Sequence, residues 1–273
     1  MANISERPAD LPDFESPPLN EVVLGVQFNP PKGYRQINAG EVWGLFRPVF
    51  SEIEEHEPLA LMFETFGLPA RGVQFGIGIM RGPVHDRFWF VRPDGTELIQ
   101  FQQDRLLHNW RKVANERNEY PRFEGMITRF REELEKLDEY FSGLSPQSLL
   151  INQCEITYVN HIPFESANER KVSDWLRFVD FGRHEPEDFS IGFREIIRDA
   201  DGQPQGRLTC ECRIAITQRE ERVIVMSLTA RGAPTDATKE SAFEFLAKGR
   251  SLIVSRFADL TTDAAHTEWR RIK

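Results

Sequence analysis

Apolar and polar residues alternate over residues 20–30, so Val22, Leu24, Val26 and Phe28 fall on one side of an opening strand. Val42, Leu45, Phe46, Val49 and Ile53 then recur at helical spacing behind Asn38, a suitable N-cap, with Pro48 placed to kink or split that helix. Period-two or short apolar runs over 59–66, 73–80 and 87–91 predict strands. Pro93-Asp94-Gly95 turns the last of these into 97–102 as a hairpin, and a further strand follows over 106–110. Phe123, Met126, Ile127, Phe130, Leu134, Leu137 and Phe141 form the stripe of a long amphipathic helix, with Gly143 at its C-terminal cap.

The pattern restarts after residues 143–150. A strand is predicted over 154–164, and a helix over 173–181 with Ser173 or Asp174 near its cap. A three-strand meander follows over 188–199, 207–217 and 222–231, turning at Asp201-Gly202 and Arg219-Glu220. The last long helix carries Phe243, Leu246, Ile253, Val254 and Phe257. Both halves run strand, helix, antiparallel strands, long helix, and their first strands align from Glu21 with Glu155 to Phe28 with Ile162, each followed by proline (Pro30, Pro163). The expected fold is α+β: two tandem strand–helix–antiparallel meander–helix units in a pseudo-two-fold duplicated arrangement. The units span 19–145 and 150–273, behind a polar tail over 1–18 and across a linker over 146–149.

Composition narrows the function classes. Residues 1–149 carry 16 Lys+Arg against 23 Asp+Glu and residues 150–273 carry 18 against 20, within a total of −9. Neither half supplies the basic field on which non-specific nucleic-acid affinity depends. No run approaches the ~18 apolar residues of a membrane helix, and the first residues lack a signal-peptide core. Cys154, Cys210 and Cys212 form no disulfide framework, which fits a reducing cytoplasm.

No nucleophile elbow, phosphate loop or zinc helix occurs in the sequence. Gly76-Ile77-Gly78 reads as a bend within a sheet. Cys210 and Cys212 share a strand face that Cys154 could join, but buried free thiols are ordinarily small apolar groups. Glu54-Glu55-His56-Glu57 reads as a solvated helix end, and Asp199-Ala200-Asp201-Gly202 as a hairpin turn rather than a calcium loop. No metal or cofactor is expected.

The richest polar cluster is His108-Asn109-Trp110-Arg111-Lys112. Alternation sets His108, Trp110 and Lys112 on one face and Asn109 and Arg111 on the other. Five basic residues stand against Glu116 and Glu119 between Arg105 and Arg122. An aromatic beside cations can stack a base or hold a phosphate; the competing reading is that Trp110 caps a core while the cations stay solvated. Asn160 and His161 hold the corresponding slot of the second half, where a buried Asn satisfies neighbouring backbone or joins a ligand site.

Three stretches carry a family resemblance: Pro17-Pro18-Leu19-Asn20-Glu21-Val22-Val23, the run from Gln100 to Arg111, and Thr157-Tyr158-Val159-Asn160-His161-Ile162. With the closing Phe257, Leu260 and Trp269, they resemble a sporadically distributed, functionally uncharacterised bacterial and archaeal family of about this length. No catalytic residue set is attached to that family. Its patchy occurrence implies mobile or defence-linked cassettes and an antitoxin-like, adaptor or sensor role. The duplicated layout also resembles the saddle of the TATA-binding protein in topology alone, which carries little functional weight. The reading is a non-enzymatic cytoplasmic protein with a protein partner, compatible with a homodimer and with no membrane partner. Nucleic-acid or nucleotide binding through residues 108–122 and a dispersed active site around His108, His161 or Asp104 are the alternatives.

Overall fold

The computed structural model describes residues 7–67, 86–113, 118–146, 149–163, 170–184, 186–217 and 220–273. The strand expected over 73–80, Gly76-Ile77-Gly78 with it, and also Glu116 and Arg219 lie outside these residues. Nine strands are present among the described residues: β1 (Leu19–Phe28), β2 (Glu52–His56), β3 (Arg87–Val91), β4 (Glu97–Gln102), β5 (Arg105–Arg111), β6 (Ile151–Pro163), β7 (Ser190–Arg198), β8 (Pro204–Ile216) and β9 (Arg222–Gly232). The helices are α1 (Ala39–Phe46), α2 (Arg122–Leu144), α3 (Lys239–Leu260) and α4 (Asp263–Glu268).

The strands form one antiparallel sheet in the order β2-β3-β4-β5-β1-β6-β9-β8-β7. This overturns the expected α+β pair of tandem strand–helix–meander–helix units, and with it the saddle likeness. The physical reason is the β1–β6 ladder. Leu24 stands opposite Ile156 and Val22 opposite Tyr158, so the hydrogen bonding runs unbroken through the point where two units were expected to part. The helix expected over 173–181 is also reduced to a single 3-10 turn at Val172–Asp174.

Three local expectations change as well. Residues 59–66 form no strand, and residues 54–56 belong to edge strand β2 rather than to a helix end. β2 carries charge on both faces and is mostly exposed, which suits a sheet edge and hides it from periodicity. The first helix stops at Phe46, two residues before Pro48, and Ile53 lies on β2 opposite Phe90.

One face of the sheet is covered by α2 and α3. The α2 stripe from Phe123 to Phe141 is buried over β1 and β5, against Leu24, Val26, Phe28 and Leu106. Burying each such side chain stabilises the fold by roughly 1.5–3 kcal/mol. Helix α3 crosses β6 and β9 closely. A Cβ on Gly249 would come 2.7 Å from Ile156 Cγ2 and 3.0 Å from Ala230 Cβ, so this helix–sheet spacing requires glycine. The Phe130 and Phe243 rings meet edge-on at 6.3 Å and join the two helices into one layer.

The N-terminal stretch that reads as a polar tail contributes to this layer. Leu11 and Phe14 are buried, and Phe14 packs edge-on against Phe257 and Trp269. Main-chain bonds from Asp13 to Lys273 and from Ile272 back to Asp13 tie the two ends of the chain together. No helix among the described residues is long and apolar enough to cross a membrane.

Candidate binding face of the sheet

Strand alternation sends one set of side chains toward α2 and α3 and the other to the opposite face, which no described helix covers. On that helix-free face, β1, β6 and β9 present Val23, Thr157, Val159, Val225, Ser227 and Thr229, all half-buried. Thr157 and Thr229 pair across the ladder through their hydroxyls at 2.8 Å. Toward β4 and β5 the same face carries long polar side chains that are buried: Gln27, Gln100, Gln102, Arg105 and Asn109. A buried amide or guanidinium needs partners, because an unanswered one costs about 1–3 kcal/mol. Gln100 Nε2 donates to Asn109 Oδ1 at 3.0 Å, and Asn109 Nδ2 donates to Glu21 Oε1 at 2.7 Å. Arg105 Nε donates to Asp104 Oδ1 at 2.9 Å.

The remaining partners come from residues 57–67, an extended strap laid over this face. Gln102 grips Leu59 by both main-chain groups: its Oε1 accepts from the Leu59 N–H at 2.8 Å and its Nε2 donates to the Leu59 carbonyl at 3.0 Å. Arg105 Nη2 donates to the Ala60 carbonyl at 3.1 Å, and the Met62 N–H donates to Gln27 Oε1 at 3.3 Å. Farther along, Arg207 donates to the Thr65 carbonyl at 2.6 Å and pairs with Glu64. Glu64 also stands 3.9 Å from Arg231, which pairs in turn with Glu155. Beside the strap lies a cleft of about 270 Å³ lined by Gly25, Gln27, Met62, Arg105, Leu107, Gln153, Glu155 and Arg231. Gln153 is buried there, and its Oε1 has no hydrogen-bond partner.

The cluster singled out in the sequence divides between the two faces. His108 and Trp110 point under α2, where His108 is fully buried with Nδ1 2.9 Å from Glu133 Oε2. Burial works against the charged imidazole, but the Glu133 carboxylate outweighs it by charge and hydrogen bond, so the pKa of His108 is raised. Trp110 packs against Tyr120 at 5.1 Å between ring centres. Asn109 and Arg111 lie on the helix-free face, and Arg111 Nε donates to the Gly95 carbonyl at 2.8 Å. Lys112 is exposed beyond the end of β5. Asn160 faces the helices and donates to the Met226 carbonyl at 3.3 Å. His161 is half-buried on the opposite face, its pKa lowered by burial and by Arg213. These residues do not converge on one point.

The helix-covered side holds a smaller cavity of about 60 Å³ among Phe14, Tyr120, Phe123, Tyr158, Asn160 and Phe257. Tyr120 and Tyr158 share a hydroxyl hydrogen bond of 2.9 Å there, and burial lifts the Tyr158 phenol to about 12. Cys154, Cys210 and Cys212 are free and buried. No group of three or more His, Cys, Asp or Glu suited to a metal ion occurs among the described residues.

Sequence reasoning did not identify the strap or its holders. The available signal was the row of Gln27, Gln102, Arg105 and Gln153, long polar residues placed inside strands otherwise built for burial. The arrangement they make can hold an extended main chain by hydrogen bonds without adding it to a β-ladder. Comparison with protein-family models, curated proteins and solved structures finds no match to this chain.

Proposed function

We propose that this is a non-enzymatic binding or adaptor protein whose working surface is the helix-free face of the sheet and whose partner is another protein. One observation carries the reading. A half-buried field of Val23, Thr157, Val159, Val225, Ser227 and Thr229 lies beside a strap whose Leu61, Met62 and Phe63 side chains are exposed. Such a field of small hydroxyl and β-branched groups beside apolar side chains suits a protein interface better than it suits phosphate. The acidic total charge points the same way. Buried free thiols fit a reducing cytoplasm. The resemblance to a patchily distributed family supports a neutralising or sensing role in a defence-type or toxin–antitoxin-like module.

The test is affinity capture from the native host with the wild-type chain and with Thr157→Arg and Val225→Arg, which set a long cation in the middle of the field. Proteins retained by the wild type and lost with both variants support the reading. Equal recovery by all three, or turnover of a substrate by the isolated protein, overturns it.

A further inference from the structure

We propose that the groove under the strap receives an extended acidic peptide segment of a partner, and that residues 59–65 of this chain occupy it in the free protein. The proposal rests on the helix-free face being the working surface and specifies what part of that face recognises.

The sheet holds the strap mainly by its backbone. Gln102 on Leu59, Arg105 on Ala60, Gln27 on Met62 and Arg207 on Thr65 all bond main-chain groups, which every polypeptide carries. Two of these holders are preset by Asp104, which accepts from Gln102 Nε2 at 3.1 Å and from Arg105 Nε at 2.9 Å. The apolar side chains at 61–63 contribute little to its retention. Leu61, Met62 and Phe63 are 57%, 49% and 55% exposed, so apolar burial does not lock them in place.

Charge supplies the selectivity. The Glu64 side chain is 14% exposed between Arg207 and Arg231. Without it, Arg207 would lose the carboxylate it pairs with, and Arg231 would keep only Glu155. A negative charge is therefore required at that point of any replacement segment, and a bidentate guanidinium is well suited to a carboxylate. The cleft alongside leaves room for the incoming chain. It is floored at Gly25, where a Cβ would stand 3.0 Å from Leu107 Cγ, and the unpartnered Gln153 Oε1 offers an acceptor to an incoming N–H.

The experiment uses the full chain and a fluorescent peptide of residues 57–67 as the probe, with binding read by anisotropy. A tethered strap competes at an effective concentration on the order of millimolar, so a probe of about 100 µM intrinsic affinity should bind the wild type about tenfold more weakly than a chain with a loosened strap. The loosened chain carries Leu59→Pro and Glu64→Lys; Glu64→Gln alone is the milder second variant and should show a severalfold gain. Adding Arg207→Ala to the loosened chain should cost at least about tenfold in probe affinity, and a Glu64→Lys probe should lose as much. Equal binding to wild-type and both loosened chains, no binding to either loosened chain while circular dichroism shows each folded, or indifference to the charge of the probe overturns the proposal. The two readings fail separately. Probe binding with Thr157→Arg still capturing partners sinks only the broad-face reading, and loss of capture without probe binding sinks only the groove.

Discussion

Glu133→Gln isolates the buried pair that links the sheet to α2. His108 Nδ1 lies 2.9 Å from Glu133 Oε2, the imidazole is fully buried, and its Nε2 has no partner. Desolvation opposes the imidazolium, yet the carboxylate prevails and the folded-state pKa is raised. A raised folded pKa means that protonation stabilises the fold. That contribution is complete below the unfolded value of about 6.5 and is lost as pH rises through the higher folded value. Removing one member of a buried pair costs about 3–5 kcal/mol when the other charge is stranded. Here His108 can release its proton and bond the new amide oxygen, so the loss at pH 6 should be about 2–3 kcal/mol. At about 2–4 °C per kcal/mol for a large domain, the Tm falls by roughly 4–12 °C. Thermal and urea unfolding of both proteins between pH 5.5 and 9 checks this, because other titrating groups cancel in the difference. The gap should narrow as pH rises. A gap that stays constant or widens refutes the reasoning.

Gly232→Ala should destabilise by about 1–3 kcal/mol in urea unfolding, because its Cβ would come 2.5 Å from the Gln205 carbonyl oxygen and 2.7 Å from Phe245 Cε2. Phe130→Ala should cost about 3–5 kcal/mol by the same assay, since the ring is wholly buried between the sheet and Phe243. Thr238→Ala removes the hydroxyl that accepts from the Ser241 N–H at the start of α3, and should lower stability by about 1 kcal/mol. Ellman's reagent should find no reactive thiol in the native protein at pH 8 and three after denaturation. Burial raises the Cys154 thiol pKa, and a side-chain hydrogen bond between Cys212 and Cys210, followed by burial, raises that of Cys212.

Strong periodicity made the long elements legible. The Phe123–Phe141 stripe lies along α2, the Val22–Phe28 alternation along β1, and the three runs after residue 188 along β7, β8 and β9. Weak or misleading periods concealed the rest. Residues 59–66 are apolar enough for a strand, yet their main-chain groups bond to Gln27, Gln102 and Arg105 instead of to a neighbouring strand. Trp175, Leu176 and Val179 have helical spacing but are buried around one 3-10 turn, with Trp175 stacked on Trp269. The joining of β1 to β6 leaves no trace in either segment, because alternation fixes which side of a strand is buried and says nothing about its neighbour. The same limit applies to the polar cluster: alternation separated His108 from Asn109, while their partners Glu133 and Glu21 come from distant parts of the chain.

The placement of β1 between β5 and β6 bears on how the chain is made. Its residues leave the ribosome before those of either neighbour, one of which ends at Arg111 and the other at Pro163. At about 5–20 residues per second, the interval between emergence of Phe28 and emergence of Pro163 is on the order of ten seconds. Throughout that time a Val- and Leu-rich segment has at least one open row of amides and carbonyls. Stalled nascent chains whose emerged part ends shortly before residue 151 should therefore engage chaperones more strongly than those whose emerged part extends past residue 163.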